Sequence, residues 1–340
     1  MLKRLAPWVC IKRPMILTAS VICVTASSVR ALVVTHGMTP AVTPAVTPAV
    51  TQGVTPRRGW RASPTAAIKI HAPSGTLLVQ GWGRDSVSIE GTLASGESFF
   101  GGGTVNGLKL GAEGTATAGR TSLLVRVPAA ARVVVRSGAA DVRVIGLTST
   151  IDVGSAAGDV DVSGDADAVT AESISGDLHI HVNASAVRAR TTRGRLDIAG
   201  RILEAQLTSV SGALVLSAQL IGTVRVETID GAVEIRGAIA RTGSIDVQTF
   251  GGTVDLAFPA EQGAALDLRA TDAVIGGVLT GRRGGRESLD LRALAVKSGN
   301  TTSLSRVIGP SGAPAPSVTV RTMRGRIRLR TLPRERQPGD

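Results

Sequence analysis

The sequence predicts an all-β protein, a single-domain parallel β-solenoid with about 18 residues per coil and two short strands per coil. Three observations carry this reading. Apolar residues recur at a fixed nine-residue step, at Val142, Ile151, Val160, Val169, Leu178, Val187, Leu196, Ala205 and Leu214. The series continues less regularly at Val224, Val233, Ile245 and Val254. Each member is followed two positions later by another apolar or small residue, from Val144 and Val153 through Val247 and Leu256, which is the alternation of a half-buried strand. Glycine returns at every second step, at Gly158, Gly176, Gly194, Gly212 and Gly231, so two unlike halves make one coil. At those corners glycine is expected to allow left-handed or tight backbone without Cβ clashes.

Composition agrees. Of 340 residues, 43% are hydrophobic but only 2% aromatic, with no Tyr, and 41 are Gly. The apolar content is therefore mostly Val, Leu, Ile and Ala, which suits many short strands separated by turns. No long stretch has the i, i+3, i+4, i+7 spacing of an amphipathic helix. Each repeat would bury its apolar residues on the equivalent residues of its neighbours.

In chain order, residues 1–31 read as a signal peptide or, if uncleaved, a membrane anchor. Lys3, Arg4, Lys12 and Arg13 precede the apolar run "MILTASVICV", and small residues follow it. The run is short for a membrane span. Cleavage near Ser28 or Ala31 would also remove Cys10 and Cys23, the only two cysteines, and with them any disulfide, thiolate-held zinc or thiol nucleophile. Residues 32–65 read as a disordered Thr/Pro-rich linker. Its "TPAVTPAVTPAV" repeat can form neither helix nor sheet and extends at about 3 Å per residue. Residues 66–331 read as the solenoid, with a loop expected at "GESFFGGGTVNG". Residues 66–134 and 313–331 are expected to cap its ends, because uncapped coils stack end to end. Residues 332–340 read as a disordered tail.

The stretches "GTLLVQGWGRDSVSIEG", "LLVRVPAAARVVVRSGAADVRV", "AESISGDLHI" and "VTVRTMRGRIRLR" resemble bacterial candidate-adhesin domains of the DUF4097 type. The resemblance covers most of residues 66–331. It implies a parallel β-solenoid and brings no catalytic residue and no cofactor; some members sit beside envelope-stress regulators. The chain departs from the family pattern at two inserts, residues 96–103 and residues 276–312 with their "GRRGGR".

The residues themselves offer little chemistry. Asp159, Asp161, Asp165, Asp167 and Asp177 are a dense acidic group, but calcium-binding β-rolls need G-G-x-G-x-D at successive turns, and no turn here has it. These carboxylates read as solvated outer-face groups. His179 and His181 alternate with Leu178 and Ile180 and so face outward together, without a third ligand. There is no G-x-S-x-G elbow, and "GGG" at 101–103 opens no helix that could hold a phosphate. No catalytic, cofactor-binding or metal-ligating residue is assigned. A polysaccharide-active β-helix enzyme, the less favoured reading, would need a cleft with paired carboxylates or a calcium–Arg/Lys pair, to be sought in a groove beside the long insert.

Charge is uneven. The chain is formally +12, yet residues 135–258 hold 10 Lys/Arg against 15 Asp/Glu, whereas residues 259–340 hold 14 against 7. A basic end without interleaved aromatics argues against nucleic acid as partner. In "RTMRGRIRLRTLPRER", Ile327 and Leu329 alternate with Arg326, Arg328 and Arg330, so the arginines share one outer face with Arg324 nearby. Arg324, Arg326, Arg328 and Arg330 are thus the candidate anion-binding residues, for an anionic envelope polymer, glycan or lipid headgroup. The alternative is a charged edge strand that blocks further pairing. The expected function is that of a non-enzymatic, extracytoplasmic envelope or surface protein, a solenoid head for adhesion or envelope interaction. A self-associating envelope scaffold is the alternative from a second class. Membrane contact would be confined to the N-terminus, and only with the signal uncleaved.

Overall fold

The computed structural model describes residues 57–259, 262–280, 288–308 and 315–332. The expected signal, most of the expected linker, the "GRRGGR" stretch and the tail beyond Leu332 lie outside them. The described residues are strands almost throughout, with one short helix, Leu291–Leu294. All the strands belong to one continuously hydrogen-bonded sheet.

Every apolar position of the nine-residue register is at most 2% exposed. The strands that carry them stack in parallel, one coil apart. On the first face Ile151 lies opposite Val169, Val169 opposite Val187, and Val187 opposite Ala205. On the second, Val142, Val160, Leu178, Leu196 and Leu214 form the equivalent column. Where the sequence period loosens, both faces stay aligned. The extra residues are absorbed as register shifts on a third side, between Ala218 and Leu220 and between Ile221 and Thr223. That third side has an inward column of its own, Leu147, Ala166, Ala184, Ile202, Ile221 and Ile239. From Leu178 onward the backbone stays extended across it, so the two short strands of a coil merge into Leu178–Thr191, Leu196–Ser209, Leu214–Asp230 and Val233–Gly251.

The corner between the faces follows a Ser/Thr-x-x-Gly rule. Ser155, Ser173, Thr191, Ser209, Thr228, Thr249 and Thr322 are buried there. All of their hydroxyls except that of Thr228 bridge the turn. Ser155 Oγ donates to the Gly158 carbonyl at 2.8 Å, and the Gly176 and Gly194 N–H groups donate to Ser173 Oγ at 2.9 Å and Thr191 Oγ1 at 3.0 Å. Of the two reasons expected for glycine, left-handed backbone does not apply and tight approach without a Cβ clash does. Gly158, Gly176, Gly194, Gly212 and Gly231 do not have positive φ. They are needed because a Cβ on Gly176 would lie 2.1 Å from the Gly158 carbonyl oxygen, and one on Gly194 2.0 Å from that of Gly176.

Neither end of the stack follows chain order. The first full coil in sequence is the second in space. Ala67–Ala72 lies between Gly107–Ala118 and Arg132–Ser137, and Thr76–Trp82 lies between Ser122–Pro128 and Asp141–Ile145. Antiparallel strands then close that end: Ser95–Thr104, Ser86–Thr92 and Arg57–Arg61. The loop expected at residues 96–107 is instead most of a hairpin, in which Ser95–Thr104 turns back into Gly107–Ala118. The first described strand falls inside the expected linker, because Trp60 packs against the core with its ring 6.2 Å from that of Phe99.

The other end repeats this logic. Ser317–Thr322 is hydrogen-bonded to Val233–Gly251 on one side and to Ala264–Thr271 on the other. Gly325–Leu332 lies between Thr253–Pro259 and Ala273–Thr280. The outer coil is covered by the antiparallel strands Thr301–Ile308 and Ser288–Asp290. Two expectations are corrected. Residues 313–331 do not cap the stack, and the arginine strand is not an edge, since both of its sides are paired.

Candidate functional site

The alternation along Gly325–Leu332 sets the side chains as the sequence reading expected. Ile327 and Leu329 are fully buried, and Arg326, Arg328 and Arg330 are exposed on the outer face. Arg324 does not join them. It sits at the preceding turn, with its guanidinium carbon 5.6 Å from the centre of the Phe250 ring. Arg330 is neutralised: Nη2 donates to Glu234 Oε1 at 2.6 Å, and Nε lies 3.8 Å from Asp255 Oδ1. Arg326 and Arg328 make no ion pair with another described residue. The face that carries them is thus cationic at one side and compensated at the other.

A further cation comes from the long insert, which the sequence reading marked only as a departure. Asp290 caps the short helix by accepting the Arg292 backbone N–H at 2.9 Å. The Arg292 side chain then lies across Gly276, where a Cβ would stand 3.0 Å from Nε. In the ladder, Gly276 is the partner of Arg328 and Val274 the partner of Arg326. Arg292 and Arg328 therefore stand beside one glycine floor, in a depression of about 280 Å³. It adjoins a wider hollow of about 640 Å³, where Arg326 and Lys297 face Asp272, Asn300 and Thr302. Arg292 was illegible because its neighbours on this surface are remote in sequence.

Chemically, this surface offers anion-binding donors. Among the described residues each hollow has one lining carboxylate, Asp255 in the first and Asp272 in the second, each among cations.

The other singled-out residues serve the stack. The Asp141, Asp159 and Asp177 carboxylates accept the backbone N–H of Asp159, Asp177 and Arg195, one coil further on, at 3.1, 2.8 and 2.7 Å. Asp161 pairs with Arg143 at 2.9 Å, and Asp165 accepts from Asn183 at 2.7 Å. Asp161 and Asp197 flank His179 in the ladder, and His181 is exposed beside it. Beside the hydroxyl corner, Ile174, Val210, Ile229, Phe250 and Met323 form an exposed apolar row. Among the described residues no group of His, Cys, Asp and Glu could hold a metal ion, and no helix is long and apolar enough to cross a membrane.

Comparison with known proteins adds the relationship. No curated protein matches the chain. Similar solved structures include a candidate adhesin of Parabacteroides merdae, 9% identical over 82% of this chain and 96% of that one, with a TM-score of 0.48. Others are a candidate adhesin of Parabacteroides distasonis (10%, 82% and 98%, 0.47) and one of Bacteroides fragilis (13%, 82% and 97%, 0.40). The family model described as Toastrack DUF4097 matches residues 83–276, more than half of the chain. On that match, the chain belongs to the DUF4097, or Toastrack, family.

Proposed function

We propose that this chain is the non-catalytic binding head of an exported envelope or surface protein, with the Thr/Pro-rich residues ahead of strand Arg57–Arg61 as its spacer. The observation that carries the reading is the open cationic groove around Gly276, which offers binding donors without a paired acid and base. The leader-like residues 1–31 support export. The antiparallel strands over both ends of the stack support a discrete head rather than a scaffold grown end to end, because they replace the parallel edge that a second copy would extend. Relatives described as candidate adhesins are consistent with a surface role.

The experiment is fractionation of whole cells with N-terminal sequencing of the recovered protein. The mature chain should be found outside the cytoplasm and begin near Val29 or Leu32. A soluble cytoplasmic protein that begins at Met1 or Met15 would overturn the proposal.

A further inference from the structure

We infer that the groove framed by Arg292, Arg326 and Arg328 binds a linear polyol phosphate, a phosphodiester polymer with a slim aliphatic backbone. This rests on the reading of the chain as an extracytoplasmic binding head and names its ligand.

Three features point to that chemistry. The first is charge without compensation. Arg326 and Arg328 have no ion-pair partner among the described residues, and Arg292 lies over the glycine that is the ladder partner of Arg328. Guanidinium groups so placed repel one another until an anion lies between them, and each can hold a phosphate through two parallel N–H···O bonds. The second is spacing. Arg326 and Arg328 are two residues apart on one strand, so their charges repeat at about 6.7 Å along it. Phosphates joined by a three-carbon polyol repeat on that scale when extended, so one chain could meet both arginines in turn. Past Arg326 the track continues into the wider hollow beside Lys297.

The third feature is the floor. Gly276 and Gly277 lie at the bottom, with Val274, Val278 and Leu329 beside them. Such a floor accepts a thin aliphatic chain. It offers no aromatic face among the described residues, whereas sites for single-stranded nucleic acid stack bases on aromatic rings. Guanidinium groups that frame a notch also reach a single chain more closely than the broad surface of a bilayer.

The test uses the full chain and immobilised poly(glycerol phosphate). The R292Q/R326Q/R328Q variant is compared with R190Q/R193Q/R241Q, which removes the same charge from exposed arginines elsewhere. The groove variant should lose at least about tenfold in affinity, and its dependence of log K on log salt should flatten by about 2, as loss of three phosphate contacts implies. The control should keep most of the affinity, and both should melt with the wild type. The R292K/R326K/R328K variant should keep the salt slope but bind more weakly, because Lys lacks the bidentate fork; it also decides the matter if the Gln variant misfolds. Equal loss in the control, or full affinity in either groove variant, would overturn the inference. So would single-stranded DNA or phosphatidylglycerol vesicles that bind as tightly as the polymer. Failure here with the protein outside the cytoplasm removes the ligand alone. Polymer binding by a protein confined to the cytoplasm removes the proposed function alone.

Discussion

At the scale of single residues, the corner decides how closely coils can stack. The glycine repeat and the need for close approach are plain in the sequence, but the atom that excludes a side chain is not, because it belongs to the coil before. Gly194→Ala would put a Cβ 2.0 Å from the Gly176 carbonyl oxygen, backbone that cannot swing aside. We expect a loss of about 1–3 kcal/mol in denaturant unfolding, the usual cost of overpacking. Gly83→Ala, with nothing within 4 Å of the added Cβ, should change stability by less than about 0.5 kcal/mol. The hydroxyl three residues before each glycine was equally present in the sequence, as "SAAG", "SISG", "TTRG" and "SVSG", and escaped notice because Ser and Thr break no apolar pattern. Ser209 Oγ donates to the Gly212 carbonyl and accepts the Gly212 N–H, at 2.9 and 3.0 Å. Ser209→Ala should therefore cost about 1–2 kcal/mol. Thr228 Oγ1 is buried without a partner, so Thr228→Val should be neutral or stabilising in the same measurement.

At the scale of strands and coils, alternation made the two faces legible, down to the inward Ile327 and Leu329 between outward arginines. The third side was not legible. Ile202 stands as a single inward residue among outward ones, and one residue in a coil makes no alternating pattern. Arg324 was misplaced for a related reason: the turn that ends Ser317–Thr322 takes it off the face its spacing suggested. The equivalence of coils has a mechanical consequence. Deleting Arg188 alone should reverse the inward and outward side chains over the rest of Leu178–Thr191, a register error. Deleting residues 176–193 removes one whole coil and brings together neighbours of the same pattern. The single deletion should lower the melting temperature and the β-sheet circular dichroism far more than the eighteen-residue one. The opposite order would contradict the repeat.

At the scale of the whole molecule, the sequence could announce the coils but not their order. Ile245 pairs with Val318, and Leu266 pairs with Val318 from the other side, although residues 264–271 follow the former by far fewer positions. Coils with the same inward pattern can pair in any order, so periodicity is blind to a late segment that enters between two earlier ones. That entry makes the candidate site. It removes the arginine strand from the edge, sets Arg328 beside Gly276, and brings Arg292 over both. The order of these three coils is the central claim, and cysteine cross-linking tests it most directly. In a chain with Cys10→Ser and Cys23→Ser, cysteines can be placed pairwise at the outward positions Asp246, Thr319 and Asp267, which are ladder partners in that order. Adjacent parallel strands put their Cα atoms about 4.8 Å apart and alternate strands about 9.6 Å apart, against a limit of about 7 Å for a disulfide. Under mild oxidation, Asp246→Cys/Thr319→Cys and Thr319→Cys/Asp267→Cys should each cross-link, and Asp246→Cys/Asp267→Cys should not. Efficient cross-linking of that last pair, with none between positions 246 and 319, would mean that the coils stack in chain order and that the groove around Gly276 does not exist.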